Sequence, residues 1–388
     1  VLRQVTATFV YGLTATPIRK DGHQPIIFMQ CGKIRFTSDA KSQMENQGFK
    51  RLLIPRFTSF RSIISDRKTY VQITQELSED KVRNEFVMED VKAAIQKGRT
   101  PLVLTTRTAH VKVLAQMLMP FADHVIQLIG TDSAKEKRLA LQKLQSIPTS
   151  ESFVIVATGK YVGEGFDYPR LDTLFLTMPI AWKGNVEQYA GRLHREYEGK
   201  SEVCIYDYVD IRVPLCDSMY RKRLKGYARA GYGKNVTSPA PDKKSQELIY
   251  EQNNYEAAFR KDLAKAKHSV VIAVPKVKFK YKPSIMSALA NLLHDGVSVV
   301  VHVKEEGANE LELSNAGMDV VCNKKQTLQC AIIDKSIVWY GNINFFGYNS
   351  ETNNVMRIAD YKIANEMMEI LYSATENKVN EKSYTLPI

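Results

Sequence analysis

FVIVATGKYVGEGFDYP, from Phe153 to Pro169, opens on five apolar residues without a polar interruption and then turns abruptly to hydroxyl, glycine and lysine. An apolar run with no alternation reads as a strand covered on both faces, which is the habit of parallel rather than antiparallel sheets. In such sheets ligands sit beyond the carboxyl ends of the strands, where Thr158, Gly159 and Lys160 fall. Small residues and hydroxyls at that edge let backbone amides come close to a phosphate. Gly163 and Gly165 flank Glu164 and permit backbone angles that a Cβ resists, and Asp167 then turns toward the cleft.

Working outward, further strand candidates are Leu102–Thr105, Val125–Ile129, Thr173–Thr177 and Val203–Tyr208. Helical stretches lie between them. Glu85 to Lys97 is amphipathic and stops at Gly98; Thr108 can cap a helix with Val111, Leu114, Ala115 and Leu118 on one face; Ser133 and Glu136 make a capping box ahead of Leu139, Leu141 and Leu144. The alternation predicts a doubly wound α/β domain from about residue 51 to 213.

Past the last of these helices lies QYAGRLHR, with Gln188, Gly191, Arg192 and Arg195. Two arginines at (i, i+3) behind a glycine suit either a solvated face or a reach toward a nucleotide phosphate, because a guanidinium stays charged and forks onto oxygens. Order decides between these readings. GLTATP (Gly12 to Pro17), PLVLTT (Pro101 to Thr106), VATGKYVGEGFDYP and QYAGRLHR follow one another along the chain. In that order they resemble motifs III to VI of the second-superfamily helicases of DEAD/DEAH type, and the GEGFD and ATPIR runs are similar to the restriction-type and repair-type branch. The resemblance covers roughly the first 210 residues.

The resemblance implies two RecA-like lobes and roles for particular residues. Thr14, Ala15 and Thr16 would couple nucleotide state to strand grip. Thr105, Thr106, Thr158, Gly159 and Lys160 would touch nucleic-acid phosphates, while Gly163, Gly165 and Asp167 would face ATP. Arg195 would be the arginine finger on the γ-phosphoryl group, Arg192 a second phosphate contact, and Gln188 a residue that orients the nucleotide or bridges the lobes. His194 reads as a packing or polar-bridge residue rather than a base. The Gly-rich phosphate loop GxxxxGK[ST] and a DExH or DEAD run are both missing from the sequence. On this reading residues 1–50 are the end of a first lobe whose remainder holds ATP and Mg, and the chain by itself hydrolyses nothing.

Composition agrees with a polyanionic partner. The formal net charge is +12 and the isoelectric point about 9.2, a balance that favours a polyanion without requiring it; the resemblance implies that this is nucleic acid, with DNA the expected polymer. Cys31, Cys204, Cys216, Cys322 and Cys330 form no CxxC pair, so they read as small apolar residues of a reducing cytoplasm and not as metal ligands. No run approaches the ~18 apolar residues of a membrane span, so a soluble intracellular protein is expected.

Beyond Tyr208 comes a basic run with interleaved tyrosines: Tyr220, Arg221, Lys222, Arg223, Lys225, Tyr227, Arg229 and Tyr232. It reads either as nucleic-acid contact, Arg221 and Arg223 foremost, or as a solvated helix leading into a linker. Asn235 to Lys244 has the composition of a flexible connection, which sets a basic linker at 214–245 and a further α/β domain at 246–388. There, helices are expected at Tyr255–Ala266 and Ser284–His294, and strands at Ser269–Val274 and Ser298–Val303. Ile332 to Gly347 reads as two strands and a short turn. The spacing of Asp334, Gly341, Asn342 and Asn344 resembles the phospholipase-D-like fold, whose histidine and lysine positions are here Thr327 and Gln329. Neither side chain is a nucleophile near neutral pH without an activating base, which implies a degenerate site that binds nucleic acid or packs against a second copy. Lys276, Lys278, Lys280 and Lys282 alternate with apolar residues, either as a phosphate-binding comb or as a lysine-protected edge strand. The expected function is the C-terminal part of an ATP-dependent helicase or translocase, the alternative a non-catalytic nucleic-acid-binding module, with an active nuclease disfavoured.

Overall fold

The computed structural model describes residues 12, 24–36, 49–62, 69–163, 166–180, 185–232, 249–251, 254–277, 283–305, 307–324, 326–347 and 353–376. Two compact units divide the chain, Val1–Gly48 and Phe49–Ile388. In the first, the helix Gln24–Cys31 is described, and Thr14, Ala15 and Thr16 lie outside the described residues.

The second unit begins with β1 (Lys50–Phe57), followed by β2 (Pro101–Thr105), β3 (His124–Leu128), β4 (Phe153–Thr158), β5 (Thr173–Leu176) and β6 (Glu202–Val209). These six strands are parallel throughout, in the order β1-β6-β5-β2-β4-β3. Alternate residues of β2 and β4 enter different cores. Leu102, Leu104, Phe153, Ile155 and Ala157 pack on one face. On the other, Val103, Val154 and Val156 meet Val111, Leu114 and Leu118 of the helix Thr108–Leu118. A strand with two buried faces has no place for a polar residue, and this is why FVIVA is unbroken. The doubly wound arrangement is the one the sequence implies.

Local signals explain several helix ends. At the helix Ala134–Gln145 the capping box forms as expected, Ser133 N–H donating to Glu136 Oε2 at 2.7 Å and Glu136 N–H to Ser133 Oγ at 3.3 Å. The helix Lys81–Gln96 is capped by Asp80, which accepts from Arg83 N–H at 2.7 Å, and ends where Gly98 adopts φ +72°. Thr108 is not a cap: it is the first helical residue, and Arg107 before it makes no side-chain cap bond.

β1 escapes the strand pattern because Lys50, Arg51, Pro55 and Arg56 interrupt it. The fold absorbs these residues at the sheet's edge, where proline is tolerated. Arg56 stacks over Phe86 at 4.3 Å and pairs with Asp90 at 2.7 Å, and Arg51 lies over Phe49 at 5.1 Å.

A second sheet is built from β7 (Ile249–Glu251), β8 (Ser269–Ala273), β9 (Ser298–Val303), β10 (Asp319–Cys322), β11 (Cys330–Ile333), β12 (Ile337–Gly341) and β13 (Asn354–Ala359). Its order is β10-β9-β8-β11-β12-β13-β7. The strands β10, β9 and β8 run parallel and the rest antiparallel. Helices Tyr255–Leu263 and Pro283–His294 fall within a few residues of their expected places.

The segment read as a basic linker is the main correction. Residues Pro214–Arg229 form one helix, with Cys216, Asp217, Met219, Tyr220, Arg223, Leu224, Gly226 and Tyr227 buried. Arg223 is 1% exposed and grips Asp207 of β6 through two bonds of 2.8 Å, while Tyr227 donates to the same carboxylate at 2.6 Å. On its other side Tyr220 stacks on Tyr340 of β12 with centroids 5.8 Å apart, and its hydroxyl donates to Met356 Sδ of β13 at 3.4 Å. Asp217 accepts from the Tyr340 hydroxyl and pairs with Arg221 at 2.7 Å. One core cluster runs from Leu53 and Val209 through Tyr220 and Leu224 to Ile332, Tyr340 and Met356, so this helix is the shared wall of both sheets. Of the connection at 235–244, and of Lys278 and Lys280, nothing falls within the described residues.

Candidate nucleotide and nucleic-acid interface

The two glycine- and arginine-bearing segments meet. Asp167, past the helix Gly159–Gly163, accepts from Arg195 Nε at 3.1 Å, and the two side chains are 43% and 58% exposed. Arg195 lies past the helix Asn185–Gly191, in a turn carried by the bonds Arg192 N–H to Tyr189 O at 3.1 Å and Leu193 N–H to Ala190 O at 2.9 Å. Arg192 is half-buried, and its Nε is buried with no hydrogen-bond partner among the described residues. Gln188 is exposed on the same helix. Gly163 closes the short helix, and Glu164 and Gly165 lie outside the described residues.

Three residues that the motif pattern does not single out hold this arrangement. Lys200 Nζ donates to the carbonyls of Pro169 at 2.5 Å, Leu193 at 3.1 Å and Arg195 at 2.7 Å, so one ammonium fastens the Asp167 loop to the arginine turn. Burial pushes its pKa down to about 8, with Asp172 opposing that shift, and the three acceptors match its three donors. Tyr189 is buried and its Oη sits 2.5 Å from where a Cβ on Gly159 would lie. Glycine at 159 thus makes room for the tyrosine of the following helix, and the expected open approach for a phosphate is occupied at that side. Tyr232 meets His194 Nε2 at 3.0 Å with the rings stacked. Burial first, then Arg51 and Lys200, pushes the His194 pKa down to about 3, which fits the packing role read from sequence.

The threonines at the carboxyl edge divide. Thr106 and Lys160 are exposed there. Thr105 is fully buried, and its Oγ1 lies 2.8 Å from His110 Nδ1, so it is no phosphate contact. His110 Nε2 lies 2.9 Å from Asn84 Oδ1, and Asn84 Nδ2 donates to Ser78 O at 3.0 Å. That bond fixes Oδ1 as the acceptor, so His110 carries a proton on Nε2. Burial, with Arg83 and Arg107 nearby, pushes its pKa down to about 3. Thr158 is buried and its hydroxyl accepts from Gly130 N–H at 2.9 Å, a bond inside the lobe. Arg221 and Arg223, read as phosphate contacts, are instead committed to Asp217 and Asp207.

In the second sheet the phospholipase-D-like positions separate. Asp334 sits in the turn after β11 at φ +48°, and its carboxylate accepts from the amides of Lys267 and His268 at 2.8 Å and Ser269 at 3.0 Å. Burial opposes its charge, yet these donors hold its pKa below the usual carboxylate value. Gln329 stands at the opposite end of β11, where Oε1 accepts from Arg221 at 3.2 Å and its carbonyl accepts from Gly341 N–H at 3.1 Å. Gly341 has no room for a Cβ, which would lie 2.3 Å from Asn354 O. Asn342 Oδ1 accepts from Asn354 N–H at 2.7 Å, and Asn344 Nδ2 donates to Lys276 O at 2.9 Å. Thr327 is exposed. The surviving motif residues are thereby structural ties. Among the described residues no cluster of acidic, histidine or cysteine side chains could hold a metal, all five cysteines are unbridged, and no helix is long and apolar enough to cross a membrane.

No family model matches the chain. Over 153 residues it is 28% identical to the transcript termination protein A18 of Myxoma virus (strain Lausanne), covering 38% of this chain and 31% of that protein. The chain therefore spans about a third of the length of this curated relative. Among solved structures, T4 UvsW is similar at 20% identity over 42% of this chain and 33% of its own, with a TM-score of 0.35. Nuc of Salmonella typhimurium, a phospholipase D family member, is similar at 20% identity over 33% of this chain and 91% of its own, with a TM-score of 0.29.

Proposed function

We propose that this chain is the C-terminal part of an ATP-dependent helicase or translocase of the second superfamily, acting on nucleic acid, with DNA as the polymer proposed. The observation that carries the reading is the pair Arg195–Asp167, which brings the last two motifs together at an exposed edge. A half-exposed pair of this kind contributes at most about 1 kcal/mol. An arginine that meets a transferring phosphoryl group is worth roughly a thousandfold or more in rate. Asp167 is thus a parking partner that Arg195 leaves at small cost. Arg192 and Arg195 would hold the terminal phosphate of ATP, with Gln188 alongside, and the unpartnered Nε of Arg192 suits an added acceptor. ATP, when bound with magnesium, would supply the phosphoanhydride whose hydrolysis drives the motor, and the reading assigns the phosphate loop to a second lobe. Thr106 and Lys160 would meet the strand at the carboxyl edge. The viral relative's description as a transcript termination protein supports a nucleic-acid partner.

The second sheet is an accessory body without phosphodiesterase activity. Thr327 and Gln329 occupy the histidine and lysine positions, and Arg221 of the helix Pro214–Arg229 bonds to Gln329, where nucleic acid or a second copy was expected. The alternative is a non-catalytic nucleic-acid-binding module, for which the net charge of +12 speaks. The test is nucleic-acid-stimulated ATP hydrolysis by a polypeptide joining this chain to a lobe that bears the loop. Stimulation by single- or double-stranded DNA is expected. Hydrolysis indifferent to any added strand sinks the reading, and metal-independent cleavage of labelled DNA sinks the claim about the second sheet.

A further inference from the structure

A cavity of about 400 Å³ opens between the turn after β6 and the second sheet. Its buried wall includes His302 of β9, 1% exposed, whose Nε2 is buried with no hydrogen-bond partner among the described residues. The imidazole stands edge-on to Tyr372 with centroids 5.0 Å apart. Ile211, Pro214, Leu328 and Leu371 make an apolar lining, and Lys324 and Thr327 are exposed at the rim.

An orphaned donor or acceptor in a protein interior costs about 1–3 kcal/mol, so a ring left in that state calls for a partner. Burial pushes the His302 pKa down to about 4, so the ring is neutral and suits the polar edge of a neutral group rather than a bare anion. Arg212 also lines the cavity, but Glu366 at 2.7 Å and Glu369 at 3.3 Å already balance its charge. The rim ammonium of Lys324 offers a site for an anionic substituent at the mouth. Apolar wall, neutral polar floor and cationic rim together describe an amphipathic planar ligand with a charged tail, and the volume lies in the range of small-molecule sites.

We propose that this cavity binds a nucleotide unit, its base edge on His302 Nε2 and its rings on the apolar lining, with the phosphate at Lys324 and Thr327. The unit is either a free mononucleotide or the terminal nucleotide of a strand. None of the lining residues belongs to the Arg192–Arg195 turn, so this site stands whether or not the helicase reading does.

Calorimetric titration of the chain with AMP and CMP, beside adenosine, cytidine and inorganic phosphate, tests it. Nucleotide binding is expected, weakened about tenfold or more by His302→Leu and restored to within about threefold by His302→Gln. Lys324→Ala should erase the advantage of nucleotide over nucleoside. Thr327→Trp, a rim substitution that leaves the core intact, should block the cavity even if His302→Leu does not fold. Displacement of the mononucleotide by a linear strand but not by a circular one assigns the site to strand ends, and displacement by neither assigns it to free nucleotides. Displacement by the circle as well overturns the proposal. So does inorganic phosphate binding as tightly as a nucleotide, an affinity indifferent to Thr327→Trp or to a folded His302→Leu, or no binding of mononucleotide or strand end at millimolar concentration.

Discussion

Two arginine-bearing segments, Gln188–Arg195 and Tyr220–Tyr232, look alike as strings and do opposite things in space. In the first, Arg195 stands 58% exposed with a half-exposed carboxylate as its partner. In the second, Arg223 is 1% exposed and bidentate to a fully buried Asp207. The lesson is that basic residues announce a polyanion only when nothing inside the fold answers them. Arg223 has its counterion and two tyrosines within reach, so it welds a helix to a sheet. Arg195 has a partner that solvent weakens, so it stays available.

The largest effect belongs to the buried pair. Arg223→Ala leaves Asp207 uncompensated in the core, and unfolding by urea should show a loss of about 3–5 kcal/mol; a loss below about 1 kcal/mol would place Arg223 among the surface cations after all. Next comes Lys200→Met, which removes a charged donor from three carbonyls and should cost about 1.5–3 kcal/mol, with increased amide exchange across Arg192–Arg195 as its signature. Unchanged exchange there would mean that the turn holds itself.

The contrast between Thr105 inside and Thr106 outside gives a pH test. His110, bonded to Thr105, is neutral when folded, with a pKa near 3, against an ordinary value of 6.5 in the unfolded chain. A depressed folded value means stability present above pH 6.5 and lost as pH falls below it, approaching about 1.4 kcal/mol per pH unit between the two values. Replacing His110 by Asn should flatten the decline between pH 6.5 and 5, and an unchanged slope would contradict the neutral assignment. The smallest effect is expected from Asp167→Asn: no more than about 0.5–1 kcal/mol in stability, since the pair is half in solvent.

Much of the first sheet was legible because burial on both faces leaves its mark on every residue of β2, β4 and β5. β1 was not, since Arg51, Pro55 and Arg56 find their partners at Phe49, Asp90 and Phe86, which no local pattern reveals. The helix Pro214–Arg229 had a readable sign: Tyr220, Arg223, Leu224 and Tyr227 recur at i, i+3, i+4 and i+7, the spacing of a buried face. The charge of Arg223 masked it, and Asp207 lies on another element. Of the site, motif order implied that Asp167 and Arg195 both face a nucleotide, but not that they pair with each other; that pairing, the clamp by Lys200 and the occupation of Gly159 by Tyr189 depend on tertiary approach alone. The spacing from Thr327 to Asp334 identified the hairpin but not its chemistry, because Gln329 and Asp334 end at opposite ends of a four-residue strand.

The central claim, that Arg195 is held ready for a phosphate rather than for the fold, is tested most directly by Arg195→Ala in the two-lobed polypeptide, with single-turnover ATP hydrolysis, nucleotide affinity and melting temperature measured together. The account predicts a fall in hydrolysis of roughly a thousandfold with the melting temperature essentially unchanged. A rate equal to that of the unaltered protein, or a fall matched by an equivalent loss of stability, would contradict it.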